Sequence, residues 1–283
     1  MPLVRTADLI TEARAEGAAV CAFNVITVEH AEAIAAGAES ANLPAVLQIS
    51  ENAVKFHGGR LGPIAAAAAA VATASSARLS LHLDHVEDEA LLRRAHTHGF
   101  TSVMFDASKL PYGDNVKATA EAVRWGHERD VWVEAELGRV GGKAGDAHTP
   151  GVRTDPAEAA AYVADTRVDA LAVAVGSTHA MTDRTATLDH ALIRELHEAV
   201  PVPLVLHGSS GVPDAELRRA VAAGMTKINV GTALNKAFTG AVRAFLEAHP
   251  STTDPRKYLN PARAAMTETV AGFLRTVSGG DSG

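Results

Sequence analysis

Residues 170–177 read ALAVAVGS, six apolar positions without a polar break and then Gly-Ser. A strand wetted on one face alternates apolar with polar residues, so an unbroken run implies burial on both faces, the state of a parallel strand covered by helices. Seven more short runs of the same kind occur along the chain: AVCAFNV from Ala19, AVLQIS from Ala45, LSLHLDH from Leu79, SVMFDAS from Ser102, VWVEAEL from Val131, PLVLHGSS from Pro203 and KINVGTA from Lys227. Each is separated from the next by a helix-forming stretch long enough for a crossover. Eight such units in 283 residues, with no linker rich in Pro, Gly or Ser, favour an α/β fold of the (β/α)8 TIM-barrel type, one domain over 1–283, rather than a doubly wound sheet. The tail from Pro255, PRKYLNPARAAMTETVAGFLRTV, predicts a short turn and an additional C-terminal helix.

Composition narrows the functional classes. Hydrophobic residues make up 47% and charged residues 21%, enough for a large core and too apolar for a disordered chain. The net charge of -7 lacks the basic footprint of a nucleic-acid binder, so an anionic substrate needs a local positive site. The longest apolar run, PIAAAAAAVA at 63–72, is too short for a membrane span and has the composition of a soluble helix. The N-terminal MPLVRTADLITEARAEG reads as a polar helix with Thr6 as its N-cap and no secretory pattern, so a cytoplasmic location is expected. Cys21 is the only cysteine, which leaves histidine and carboxylate as the ligands for any metal.

Polar residues gather at the C-terminal ends of the predicted strands: Asn24, Ser50, Asp84 with His85, Asp106 with Ser108, Glu134 with Glu136, Ser177 to His179, His207 to Ser210, and Asn229 to Thr232. In a barrel those ends share one mouth, where the loops carry the chemistry. After the fifth strand, GRVGGKAGDAHTPGVRT at 138–154 is a long glycine-rich loop of the kind that closes over a site.

Most of the histidines lie in helix-like surroundings and read as surface or packing residues. His85, His179 and His207 instead follow strands three, six and seven, in the contexts LDH, STH and LHG. Any one alone is more readily structural; three imidazoles converging on one barrel face suit Zn²⁺ with an open coordination position. Asp84, adjacent to His85, is then within reach of whatever the metal binds and is a candidate proton-transfer group, against the alternative of a strand-end cap. His82 lies on the same strand face as Asp84, as support or as core. HGSSG at 207–211 and NVGT at 229–232 follow strands seven and eight, where barrels frequently hold a phosphate through backbone N–H groups and a helix N-terminus. A lone Gly-Ser-Ser-Gly is usually a turn, and its coincidence with Asn229 and Thr232 argues for phosphate.

The ordered set AFN (22–24), QISENAVKFHGG (48–59), HLDH (82–85), GFTSVMFDAS (99–108), VEAELGRVGG (133–142), LAVAVGSTH (171–179), LVLHGSSG (204–211), KINVGT (227–232) and DPRKYLNPARAAM (254–266) resembles the zinc-dependent class II fructose-bisphosphate and tagatose-bisphosphate aldolases over essentially the whole chain. The resemblance implies a lyase of carbohydrate metabolism in which His85, His179 and His207 bind the catalytic Zn²⁺, with Asp106 and Glu136 beside the metal. It implies that Asp84 handles the proton of the hydroxyl at the cleaved bond of a phosphorylated ketose. Gly208, Ser209, Ser210, Asn229, Val230, Gly231 and Thr232, with Asn24 and Ser50, would hold the dihydroxyacetone phosphate half, released together with an aldehyde. A monovalent cation (Na⁺ or K⁺) near the phosphate and a homodimer or homotetramer are also implied, and the region of Arg256 and Arg263 resembles a tail that recognises a second phosphate. Neither a nucleic-acid nor a membrane partner is expected. The chain departs from the family after VGG, where the usual loop acid is Ala144 and the nearby carboxylate is Asp146, and after His179, where the usual glycine is Ala180. These departures leave open a specialised aldolase for another phosphorylated keto-sugar or keto-acid, with Asp146 as the loop acid, or a catalytically weak phosphosugar-binding relative.

Overall fold

The computed structural model describes residues 3–137, 152–178, 181 and 183–279. Eight strands, β1 (Val20–Asn24), β2 (Ala45–Ser50), β3 (Leu79–Val86), β4 (Ser102–Phe105), β5 (Trp132–Leu137), β6 (Ala170–Val173), β7 (Leu204–Leu206) and β8 (Met225–Val230), pair in parallel in chain order. β1 pairs with β8 through Val20 and Lys227, which closes the barrel. The (β/α)8 expectation is met.

Helices alternate with the strands: α1 (Thr6–Ala15) before β1, α2 (Val28–Ala41), α3 (Glu51–Phe56) and α4 (Leu61–Ala74), α5 (Glu89–Arg94), α6 (Tyr112–His127), α7 (Pro156–Thr166), α8 (His190–Ala199), α9 (Asp214–Ala222), α10 (Thr232–Ala248) and α11 (Pro255–Val277). Several begin where a side chain accepts an otherwise unpaired N–H: Asp88 caps α5, Asp155 caps α7 with Pro156 in its first turn, and Asp189 caps α8. The unbroken apolar runs are explained by two burial environments. Leu171 and Val173 belong to the large outer core between strands and helices. Ala170 and Ala172 pack with Val205 in a separate small cluster, as successive side chains of a strand must face opposite ways. Leu9, Ile10 and Ala13 of α1 pack with Val20, Ala22 and Val46.

Three local expectations change. Thr6 is not a cap; it is the first residue of α1, and its buried hydroxyl donates to Ser80 Oγ (3.2 Å) and accepts from Ser102 Oγ (2.6 Å). β6 is shorter than its apolar run, because after Val173 the backbone leaves the ladder: Ala174 N–H donates to Thr154 Oγ1 (2.8 Å) and its carbonyl accepts from Thr154 N–H (3.0 Å). The tail is one continuous helix of 23 residues rather than a turn and a helix. Asp254 caps α11, and although Pro261 removes one backbone donor, the turns beyond it bury Met266, Val270, Phe273, Leu274 and Val277.

α11 packs along α2 and α10, and its closest approach depends on Gly37. A Cβ there would stand 2.6 Å from both Cβ and Cγ1 of Val270 and 2.9 Å from the Thr267 carbonyl oxygen. Gly37→Ala gains helix propensity but overpacks this seam, so it is expected to lower stability by about 1–3 kcal/mol, measured by denaturant unfolding. Unchanged stability would mean that α11 is not fixed against α2.

Candidate active site

The C-terminal ends of β1, β2, β3, β7 and β8 open into one cavity of about 460 Å³. Asp84 and His85 both line it, although consecutive residues of a regular strand face opposite ways. The pairing of β3 with β4 shifts register between Leu83 and Val86, and His85 adopts a left-handed backbone with φ of 48°. That conformation costs a non-glycine residue about 1–2 kcal/mol. Its return is that a carboxylate and an imidazole adjacent in sequence share one cavity.

Each imidazole is held from behind. His85 Nδ1 lies 3.0 Å from Asp106 Oδ2, while Asp106 Oδ1 accepts from the backbone N–H (3.2 Å) and the hydroxyl (2.6 Å) of Ser108. His207 Nε2 lies 3.0 Å from Glu134 Oε1, and Glu134 Oε2 accepts from Lys227 Nζ at 2.7 Å. Ser177 Oγ donates to the His207 carbonyl at 2.6 Å. The two rings meet edge to face with centroids 4.8 Å apart. One ligand atom from each of His85, Glu136 and His207 lies within 4.8 Å of the others, a group able to hold a metal ion. Thus Glu136 stands in the group and Asp106 behind the His85 ring. His179 lies outside the described residues; its neighbour Thr178 runs against β7, since a Cβ on Gly208 would come within 2.5 Å of the Thr178 carbonyl oxygen.

The charge balance suits a divalent cation. Asp84, Asp106, Glu134 and Glu136 are 2, 4, 0 and 1% exposed, whereas Lys227 is the only buried lysine or arginine among the described residues. Burial opposes ionisation of Asp84, but neighbouring positive charge, of which Lys227 is the fixed part, outweighs it and holds the carboxyl below its ordinary range. Among the described residues Asp84 Oδ1 has no hydrogen-bond partner. A buried polar atom left so is costly unless a ligand meets it. His82 lies below, fully buried, its Nδ1 2.8 Å from Ser102 Oγ and its Nε2 3.9 Å from both Asp84 Oδ1 and Glu134 Oε2. Burial and the charge of Lys227 push its pKa down to about 3, so it is a neutral support.

The rest of the strand-end lining is polar and uncharged. Asn24, Ser50, Gly208, Ser210, Asn229, Gly231 and Thr232 line the cavity as expected from sequence. Ser210 Oγ accepts from Ala233 N–H (3.0 Å) in the first turn of α10, and both side-chain polar atoms of buried Asn229 lack partners among the described residues. A seventeen-residue helix opening here brings the positive end of its dipole to the cavity, which favours an anion. A Cβ on Gly231 would approach Asn24 Nδ2 to 2.9 Å. Two expected residues offer no side chain to the cavity: Ser209 Oγ turns back to the Leu206 carbonyl (3.1 Å), and Val230 is buried in the outer core. Ser50 has a second task, since its Oγ accepts from Ala53 N–H (3.2 Å) and caps α3. Asp146, Ala144 and Ala180 lie outside the described residues.

Gln48, Lys55, Lys109 and Asn235 also line the cavity and were not singled out from sequence. Gln48 could have been, since it lies two positions before Ser50 on the same strand face and its amide Nε2 donates to Asn24 Oδ1. The others project from helices and loops, where no period marks a side facing the mouth. A more open depression of about 710 Å³ over α8 and α9, lined by Arg153, Arg194 and Arg219, holds none of the clustered strand-end residues.

A model of the class-II fructose-bisphosphate aldolase family matches residues 4–281. A Bacillus subtilis (strain 168) protein named "Probable fructose-bisphosphate aldolase" is 39% identical over 277 residues, covering 97% of each chain. Among solved structures, the YdjI aldolase of Escherichia coli K12 superposes with a TM-score of 0.84 at 29% identity over 97% of both chains. A fructose-bisphosphate aldolase of Campylobacter jejuni shares the fold, with a TM-score of 0.80 at 22% identity over 99% of this chain and 97% of that one.

The rim of the cavity carries a pH-sensitive strut. Glu51 Oε2 accepts from the backbone N–H groups of Glu87 (2.7 Å) and Asp88 (3.1 Å), and Glu51 Oε1 pairs with Lys55 at 2.6 Å. Burial opposes its charge, and the bonds from Lys55, Asp88 and Glu87 more than offset that, so its pKa is lowered. The stability it contributes is complete above the unfolded value of about 4.3 and is lost as the pH falls through its lower folded value. Glu51→Gln is therefore expected to cost about 1–2 kcal/mol at pH 7 and to converge with wild type below that window, measured by thermal unfolding across pH. A pH-independent difference would show that the carboxylate charge is not what holds the β3 loop.

Proposed function

We infer the reaction from two premises: the chain belongs to the class-II fructose-bisphosphate aldolase family, and is therefore a carbon–carbon lyase, and Asp84 shares a cavity with His85, one member of the histidine-carboxylate group, and with the first residue of α10, Thr232. The enzyme reversibly cleaves a phosphorylated ketose into dihydroxyacetone phosphate and an aldehyde. The observation that carries this reading is the buried carboxyl of Asp84 beside His85, one of whose oxygens has no hydrogen-bond partner among the described residues.

The phosphate lies against the loops after β7 and β8, where Gly208, Ser210, Gly231 and Thr232 present backbone and hydroxyl groups at the start of α10. Asn229, whose amide has no hydrogen-bond partner among the described residues, orients the three-carbon fragment, and Asn24 and Ser50 line the same cavity. Zn²⁺ is the metal that two imidazoles and a carboxylate favour, held by His85 and His207 with His179 as the third imidazole and Glu136 adjacent. When bound, it polarises the substrate ketone and offsets the negative charge that develops there. Asp84 accepts the proton of the hydroxyl on the carbon that becomes the aldehyde. The carbon–carbon bond breaks, its electron pair stays on the three-carbon fragment, and that carbon takes a proton to give dihydroxyacetone phosphate. Asp146, in the glycine-rich segment that follows β5 in the sequence, is the acid for that last step, because Ala144 occupies the usual position. A monovalent cation beside the phosphate, assembly as a homodimer or homotetramer, and action in the cytoplasm complete the reading.

A second reading, a specialised substrate, is favoured by the rim. Lys55 and Lys109, the lysines that line the cavity among the described residues, are each paired with a carboxylate, Lys55 with Glu51 and Lys109 Nζ with Glu87 at 2.9 Å. With Ala144 and Ala180, this favours an aldehyde other than a phosphorylated triose. Condensation of dihydroxyacetone phosphate with a panel of phosphorylated and neutral aldehydes, products identified by mass and stereochemistry, separates the two. No product from any aldehyde would overturn both.

Asp84→Asn is expected to keep the metal content and fold while lowering kcat about 100-fold or more, the scale of a lost positioned acid/base. Wild-type turnover would make Asp84 structural. Asp146→Ala is expected to slow exchange of the dihydroxyacetone phosphate carbon-bound proton with solvent by about 100-fold with little change in binding, since a proton-transfer group acts mainly in the transition state. Unaltered exchange would assign the proton to another group.

A further inference from the structure

Glu134 and Lys227 lie on β5 and β8, which are not neighbours in the barrel, so their 2.7 Å contact spans its interior. Both side chains are fully buried. They lie beneath the cavity and do not line it, so neither touches substrate. As a stabilising device such a pair is poor: desolvating two charges cancels most of their attraction, and apolar residues of the same volume often do as well.

Hydrogen-bond logic gives the pair a direction. An ammonium group only donates, so Glu134 Oε2 accepts from Lys227. With that oxygen committed, the ionised carboxylate can only accept at Oε1 as well, and the partner there is His207 Nε2 at 3.0 Å. His207 therefore carries its proton on Nε2, and its lone pair is on Nδ1, the nitrogen 4.0 Å from Glu136 Oε2. His85 is held by the other nitrogen: its Nδ1 faces Asp106, leaving Nε2 for the group. The two imidazoles thus enter one site through opposite nitrogens, each selected by a carboxylate behind it.

We propose that Glu134, anchored across the barrel by Lys227, is a positioning residue that fixes the tautomer and orientation of His207 so that Nδ1 is its metal-binding atom. The inference rests on the metal reading of the preceding section. Lys227 neutralises Glu134 and pins one of its oxygens, so the carboxylate can neither rotate nor donate. The pair persists in the barrel interior for this directional reason.

The test uses charge-balanced variants of the whole protein, so that no unpaired ion is left buried. E134Q/K227M removes both charges and keeps an acceptor oxygen for His207; E134M/K227M removes the charges and the acceptor. Zinc affinity is read by chelator competition, and the ligand field by the visible absorption of the cobalt-substituted proteins. E134Q/K227M is expected to bind zinc within about 3-fold of wild type and to keep its cobalt spectrum, while E134M/K227M binds about 10–100-fold more weakly with an altered spectrum. K227M alone is expected to lose affinity or fold, and addition of E134Q to restore it. Equal zinc affinity and spectra for E134M/K227M and E134Q/K227M would overturn the role of Glu134, and wild-type affinity in K227M would overturn that of Lys227. Should E134M/K227M not fold, the comparison of K227M with E134Q/K227M carries the test. A wild-type protein that binds no zinc defeats the metal reading itself, an outcome distinct from equal binding by the variants.

Discussion

Ionised carboxylates in a dry interior persist only where positive charge or hydrogen-bond donors surround them. Asp84, Asp106, Glu134 and Glu136 all reside in this barrel with almost no exposure to solvent. Much of the local structure serves that constraint. Lys227 and His207 hold Glu134, and Ser108 and His85 hold Asp106. The interior is kept small-sided by Ala170, Ala172 and Val205, which leaves room for the polar chains. Thr6, Ser80 and Ser102 carry a run of hydroxyl contacts from α1 up to His82. A cation among His85, Glu136 and His207 would complete the balance that Lys227 alone leaves short.

The same constraint accounts for the irregular end of β3. A straight strand would send either Asp84 or His85 outward into the apolar layer between strands and helices, at a desolvation cost of several kcal/mol for the charged group. A register shift and one left-handed residue cost less than that. The backbone accepts the smaller penalty. Gly208 shows the complementary case, where φ of 69° and the contact with Thr178 leave no space for any side chain, so glycine is required by both conformation and crowding.

The barrel and the convergence of polar groups were legible in the sequence because both follow from periodicity: unbroken apolar runs mark strands buried on two faces, and polar residues closing each run mark the mouth. Where periodicity stops, legibility stops with it. The early end of β6 depends on Thr154, remote in sequence, taking over the hydrogen bonds of Ala174. Thr6 has a cap-like residue type, yet its hydroxyl is committed to Ser80 and Ser102, and that tertiary pairing overrides the local preference. Lys55 and Lys109 reach the rim from α3 and the loop after β4, and no local pattern announces it. Glu134 was visible as a strand-end carboxylate, but its tie to Lys227 links strands far apart in the chain, a relation that only the closed barrel creates.

Depth divides the charged groups into two working classes. At the rim, Lys55 is 64% exposed and the Lys109–Glu87 pair is 41% exposed on each side, so water and salt screen these pairs and their fields reach little of the cavity. On the floor, Lys227 and Glu134 are fully enclosed, so solvent screens them little, and the charge of Lys227 bears on both Asp84 and His82. Among the described residues, attraction for an anionic substrate comes best from the start of α10, whose N-terminus presents about half a positive charge. A fixed dipole needs no counter-ion and occupies no side-chain volume. It can hold a phosphate beside a floor crowded with carboxylates without drawing them into ion pairs, which an arginine in the same place would do.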